Sequence, residues 1–124
     1  MQFFQLLSDG EYAQAAEMYA GDLTNLQYLN PSIDEHDLET LWRNACTING
    51  FQCLPINKIL KAEKFSLNEY HLQVEFQNPD GSLFVLGPCC GASEEEMPPV
   101  SQFDVYVIER NGEYFVTSLP VLVP

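Results

Sequence analysis

Four cysteines, Cys46, Cys53, Cys89 and Cys90, are the residues of this chain best suited to forming covalent bonds. Zinc sites bring their ligands in close C-x-x-C knuckles, and neither Cys46-x6-Cys53 nor the adjacent Cys89-Cys90 has that spacing. Weighed against buried free thiols and a metal site, disulfides fit the pattern best and point to life outside the cytoplasm. Four cysteines allow three pairings. A bond between the neighbours Cys89 and Cys90 would close a small strained ring, so each is expected to pair with Cys46 or Cys53. Such bonds would tie the end of a helix to a sheet.

Acid–base chemistry needs a carboxylate or imidazole aimed into a pocket, beside a tyrosine or a second acid. Asp104 is the best candidate, because it shares a strand face with Tyr106 and Ile108. The same alternation also puts Asp104 on a wet face while Phe103, Val105 and Val107 form the core, and that reading fits without strain. His71 lies among acids on the polar side of its strand and reads as a solvated residue. His36 lies in the first turn of a helix, again among acids. No serine sits in G-x-S-x-G, and no phosphate-binding glycine loop occurs. Glu94, Glu95 and Glu96 lack the alternating ligands and central glycine of a calcium loop, so they read as a solvated charge run. No metal and no cofactor is expected.

Tyr19, Trp42, Phe76, Tyr106 and Tyr114 are candidates to line a ligand pocket, since pockets are mostly apolar with a few polar handles. Core packing accounts for the same aromatics and is the default reading. The partner classes expected are a small apolar molecule or a protein, with a homodimer through the open sheet face as a further option. Nucleic acid is excluded by charge. The net charge is −13, and the first 42 residues hold eight acids (Asp9, Glu11, Glu17, Asp22, Asp34, Glu35, Asp37, Glu39) without a single Lys or Arg. Phosphate backbones are bound by basic patches that release counterions, and Lys58, Lys61 and Lys64 are too few to supply one.

These residues must be positioned by a chain of 124 residues, long enough for one domain, taken as 1–124, that buries about two-thirds of its unfolded surface. No stretch approaches the roughly 20 apolar residues of a membrane helix. Met1-Gln2-Phe3-Phe4 lacks the basic segment of a signal peptide. A helix beginning almost at Met1 leads us to expect an export signal and tether ahead of it. Phe3, Phe4, Leu6 and Leu7 read as the final turns of a first helix. Ser8 and Glu11 stand at capping-box spacing before a second, in which Tyr12, Ala15, Ala16, Tyr19 and Ala20 share a face and Gly21 is the stop. Ser32 and Glu35 repeat the spacing before a third, whose stripe is Leu38, Leu41, Trp42, Ala45 and Cys46 and whose end is Asn49-Gly50.

From Cys53 the apolar period changes to two. Strands are expected over residues 53–64, 67–77 and 82–86, with Asn78-Pro79-Asp80-Gly81 turning between the last two. In the middle strand Tyr70, Leu72, Val74 and Phe76 face the core, opposite Glu69, His71, Gln73 and Glu75. Residues 103–110 and 113–121 form a hairpin through Asn111-Gly112, and Pro120 keeps the last strand from a central place. Residues 87–99 form a long connecting loop. The fold class is α+β: N-terminal helices on a curved, cone-like antiparallel sheet of about four to six strands.

The opening Phe3-Phe4-Gln5-Leu6-Leu7-Ser8-Asp9-Gly10-Glu11-Tyr12-Ala13-Gln14-Ala15-Ala16 and the closing hairpin around Asn111-Gly112 resemble the nuclear transport factor two-like superfamily, the cystatin-like α+β cones. The resemblance implies a sheet wrapped around the helices and an apolar pocket at the wide end of the cone. Its members include isomerases, dehydratases, transport adaptors and accessory domains, so the fold leaves function open. Gly87-Pro88-Cys89-Cys90-Gly91 is similar to loops in uncharacterised extracytoplasmic domains of bacterial lipoproteins. Together these imply a non-catalytic accessory or ligand-binding domain, exported or tethered. The alternative is a small isomerase- or dehydratase-type enzyme using Asp104 and a pocket tyrosine.

Overall fold

The computed structural model describes residues 1–123. Helices come first. α1 (Gln2–Ser8) buries Phe3, Phe4 and Leu7. It ends in a reversal in which Gly10 adopts φ +79°, while the Gly10 and Glu11 amides return to the carbonyls of Leu7 and Leu6. Ser8 is therefore the last residue of α1 and does not cap the next helix, correcting the capping-box expectation. Asp9-Gly10 is better chemistry for stopping a helix than Ser8 is for starting one. α2 (Tyr12–Glu17) is also shorter than its apolar face suggests. Met18 and Ala20 exchange backbone hydrogen bonds with Val116 at 2.9 and 2.8 Å, so the chain leaves the helix to cover a strand edge. At Gly21 a Cβ would strike the Thr117 carbonyl, so that glycine serves close approach rather than helix termination.

α3 (Thr24–Leu29) has no counterpart among the sequence expectations. Asp22 accepts from the Thr24 amide at 2.8 Å and from its hydroxyl, and these bonds hold the Asp22 carboxyl below its usual pKa. Leu26 is the helix's single buried residue, too little to register as a periodic stripe. α4 (Leu38–Thr47) starts later than Ser32 and Glu35 suggest. Asp37 accepts from the Thr40 amide at 3.3 Å and takes the capping role, just ahead of the stripe that buries Leu41, Trp42 and Ala45. Asn30, the one buried polar residue among those described, bonds Leu26 O and Asn49 through Nδ2 and accepts from Asn44. This network ties the end of α3 to the last turn of α4 and to the residues that follow it.

The main sheet has the order β2 (Ile56–Lys64), β3 (Glu69–Phe76), β4 (Phe103–Arg110), β5 (Glu113–Val116), all antiparallel. β1 (Phe51–Gln52) and β6 (Val121–Leu122) form a separate two-stranded sheet. The alternation in β3 holds, with Leu72, Val74 and Phe76 buried. Both central residues of the Asn111-Gly112 turn have positive φ, 54° and 81°, as a two-residue hairpin of primed type requires. Residues 82–86 do not make the expected strand; they contribute isolated bridges, Gln77 to Leu83 and Leu86 to Val100. β2 runs along β3 to Phe76 and β4 pairs with it from Glu69 to Val74, so the returning chain meets β3 only at its end, where the Phe84 amide donates to the Phe76 carbonyl at 2.9 Å. The expected last strand likewise splits at residues 117–120 into β5 and β6.

Helices and sheet enclose one aromatic core, and the α+β class stands. Phe3 meets Trp42 and Phe4 edge-on at 5.5 and 5.0 Å, Tyr19 meets Trp42 at 4.9 Å, and Phe4 meets Phe76 at 5.2 Å. The disulfide joins Cys46 to Cys53, with Cα atoms 5.5 Å apart, and leaves Cys89 and Cys90 free. This overturns the expected pairing of Cys89 and Cys90 with Cys46 and Cys53. The turn at residues 48–50, with Gly50 at φ +91°, folds the end of α4 back beside the chain leaving β1 and brings the nearer pair together.

Candidate functional site

Strand parity decides where the chemistry lies. Cross-strand register sets His71 opposite Tyr106 and Gln73 opposite Asp104 on the side of the sheet away from the helices. His71 Nε2 lies 2.6 Å from Asp104 Oδ1, and the Tyr106 ring stacks on the imidazole at 4.9 Å with an interplanar angle of 17°. Phe65 meets Tyr106 edge-on at 6.2 Å. Behind the tyrosine, its amide donates to Ser118 Oγ at 3.0 Å and its carbonyl accepts from the Thr117 amide at 2.9 Å. Its backbone is thereby fixed although half of its ring is wet.

β2 completes this face. Glu63 pairs with His71 across the strands and with Lys61 at 2.8 Å. The Lys61 hydrogen bond, then its charge, holds the Glu63 carboxyl below its usual pKa, and Glu63 raises that of Lys61 in return. Asp104 and His71 form an ion pair or a neutral hydrogen bond according to where the proton sits. Side-chain exposure is 59 % for Asp104 and 29 % for His71, so water competes for both. The geometry suits recognition of a polar or cationic group against an aromatic plane. It lacks the water exclusion that strengthens acid–base catalysis.

The five pocket candidates do not converge. Trp42 and Phe76 are core, 1 % and 3 % exposed. Tyr19 stands at the core's edge, where burial, then the Asp22 charge, pushes its pKa up to about 12; its hydroxyl donates to the Asp22 carbonyl at 3.0 Å. Tyr106 is on the outer face. Tyr114 stands at the open end of the inner face, packed on Tyr70 at 5.8 Å, and its pKa is raised first by a hydrogen bond to Glu109. Tyr70 donates to that same carboxylate at 3.3 Å, and Lys64 lies 5.6 Å over the Tyr70 ring. Beside Tyr114 is a shallow groove of about 450 Å³, walled by Glu17, Met18, Glu113 and Phe115.

A second groove of about 380 Å³ was not foreseen, because one wall is α3. Tyr28 and Leu29 face Phe51, Leu119, Pro120 and Leu122 across it. The only sequence hint is Asp22-Leu23-Thr24, a helix start followed by leucines. In the long loop, Ser93 accepts from the Glu96 amide and donates to its carboxylate, while Glu94, Glu95 and Glu96 stay exposed. Among the described residues no cluster of three or more His, Cys, Asp or Glu side chains is arranged to hold a metal ion. No described helix is long and apolar enough to cross a membrane. Comparison with protein-family models, curated proteins and solved structures gives no match for this chain.

Proposed function

We propose that the chain is a non-catalytic accessory or binding domain of an exported or membrane-tethered bacterial protein, meeting its partner through exposed surface. The observation that carries this reading is the filled interior. Where a cone would hold a ligand, Phe3, Phe4, Trp42, Phe76 and Tyr19 pack ring against ring. Membership of the nuclear transport factor two-like superfamily is part of the proposal, supported by helices-first order and the open β2–β5 sheet. An extracytoplasmic setting is supported by the Cys46–Cys53 bond.

The outer face around Asp104, His71 and Tyr106 is the surface on which a partner is proposed to sit. A second copy added edge to edge is disfavoured. β2, the open edge, carries Lys58, Lys61 and Lys64 and two register irregularities, and β5 is covered by Met18–Ala20. The isomerase- or dehydratase-type alternative needs Asp104 inside a dry pocket, whereas its side chain lies in water.

Benzene is the test probe, because it enters dry protein cavities of adequate size. Titrated to saturation against isotope-labelled protein, it is expected to leave the Trp42 indole and Phe76 resonances unmoved. Saturable shifts at Trp42, Phe3 and Phe76 would show a ligand cavity and sink the proposal.

A further inference from the structure

We propose that Cys89 and Cys90 form a modification site: a vicinal dithiol that low-molecular-weight disulfides oxidise to a Cys89–Cys90 disulfide within the loop. The inference goes beyond the binding role and does not depend on which partner the domain meets. Cys46 and Cys53 are bonded to each other, so the second pair has no cysteine left in the chain except its neighbour. Conditions that oxidise the first pair also oxidise exposed thiols.

The backbone holds the two adjacent cysteines in one tight turn. The Ala92 amide returns to the Cys89 carbonyl at 3.0 Å, closing a turn whose central residues Cys90 and Gly91 have φ 64° and 86°. A left-handed conformation is unusual for a residue with a side chain. The neighbouring Cys90 thiol first, and burial second, raise the Cys89 pKa. Around Gly87 and Gly91 there is open space where a Cβ would stand, so the loop can take up the torsional change of ring closure. The ring strain that argued against this bond is thus partly met by a turn that already departs from ordinary backbone.

Exposure sets the order of events. Cys90 is exposed and Cys89 half-buried. The Cys90 thiolate attacks one sulfur of oxidised glutathione and releases one glutathione thiolate. Cys89 then loses its proton and displaces the second glutathione from Cys90. One S–S bond forms in the protein and one is broken in glutathione. The protein gives up two hydrogens, and two reduced glutathione molecules carry them away.

The full chain, with Cys46–Cys53 formed, is equilibrated in a glutathione redox buffer and quenched with N-ethylmaleimide before intact-mass analysis and peptide mapping. The expected result is complete loss of maleimide labelling, a monomer two hydrogens lighter than the dithiol, and a peptide joined at Cys89 and Cys90. Persistent labelling of both thiols, a stable glutathione adduct or a covalent dimer would each overturn the proposal. Cys89→Ser is expected to trap glutathione on Cys90; a Cys89→Ser chain that takes up none would contradict the attack by Cys90.

Discussion

The two faces of β3 and β4 are built from overlapping residue types yet behave as two materials. On the inner face Leu72, Val74, Phe76, Val105 and Val107 are buried against the helices. One residue along the chain in each case, Asp104 and Tyr106 are exposed and His71 is half-buried beside them, with a polar contact of 2.6 Å between His71 and Asp104. Tyrosines occur on both faces, Tyr70 beside Glu109 within and Tyr106 against His71 without. Residue type therefore does not identify a pocket in this chain. Strand parity does, because a shift of one residue moves a side chain through the sheet.

The largest effect expected from this contrast is at Trp42. Replacing it with alanine should cost about 3–5 kcal/mol, as for other buried large aromatics, whereas Tyr106→Ala should cost no more than about 1 kcal/mol. Urea titration of both variants measures the gap, and equal losses would break the comparison. The cysteine pairs offer a parallel. Removing both Cys46 and Cys53 should cost about 2–3 kcal/mol, the loop-closure value for a short loop. Removing both Cys89 and Cys90 should change stability by less than about 0.5 kcal/mol.

A smaller effect separates Tyr19 from the exposed tyrosines. Its neutral form is favoured in the folded state, with the pKa raised to about 12 from 10.0. The stability this contributes is full below the unfolded value and is lost as pH rises from about 10 toward 12. Discounted for partial exposure, it amounts to about 1 kcal/mol. Tyr19→Phe should flatten this alkaline limb of the stability profile, and an unchanged limb would place the titration elsewhere. Smallest of all, Asp104→Asn should alter stability by no more than about 0.5 kcal/mol, and less still in high salt. A larger, salt-independent loss would mean that the outer cluster is structural rather than available.

Much of the frame was legible from local chemistry. The Asn111-Gly112 hairpin, the alternation in β3, the apolar stripe of α4 and the Asn49-Gly50 stop all follow from turn residues and period. What escaped depended on competition between neighbours. Ser8 and Ser32 have capping chemistry, but Gly10 and Asp37 use the same stretch for something stronger. Residues 82–86 alternate well, yet β2 and β4 hold most of both edges of β3 and leave only its last residues to the returning chain. At the candidate site, Asp104 and Tyr106 were visible as a pair. Their union with His71 was not, because it depends on cross-strand register rather than on distance along the chain.

The separation of the two faces is tested most directly by nuclear magnetic resonance with a soluble, uncharged nitroxide that broadens only accessible signals. Side-chain resonances of His71, Tyr106 and Phe65 should be strongly attenuated, while those of Trp42, Phe76 and Val74 keep their intensity. Protected signals at Tyr106 and His71, or attenuation at Trp42 matching theirs, would contradict the account.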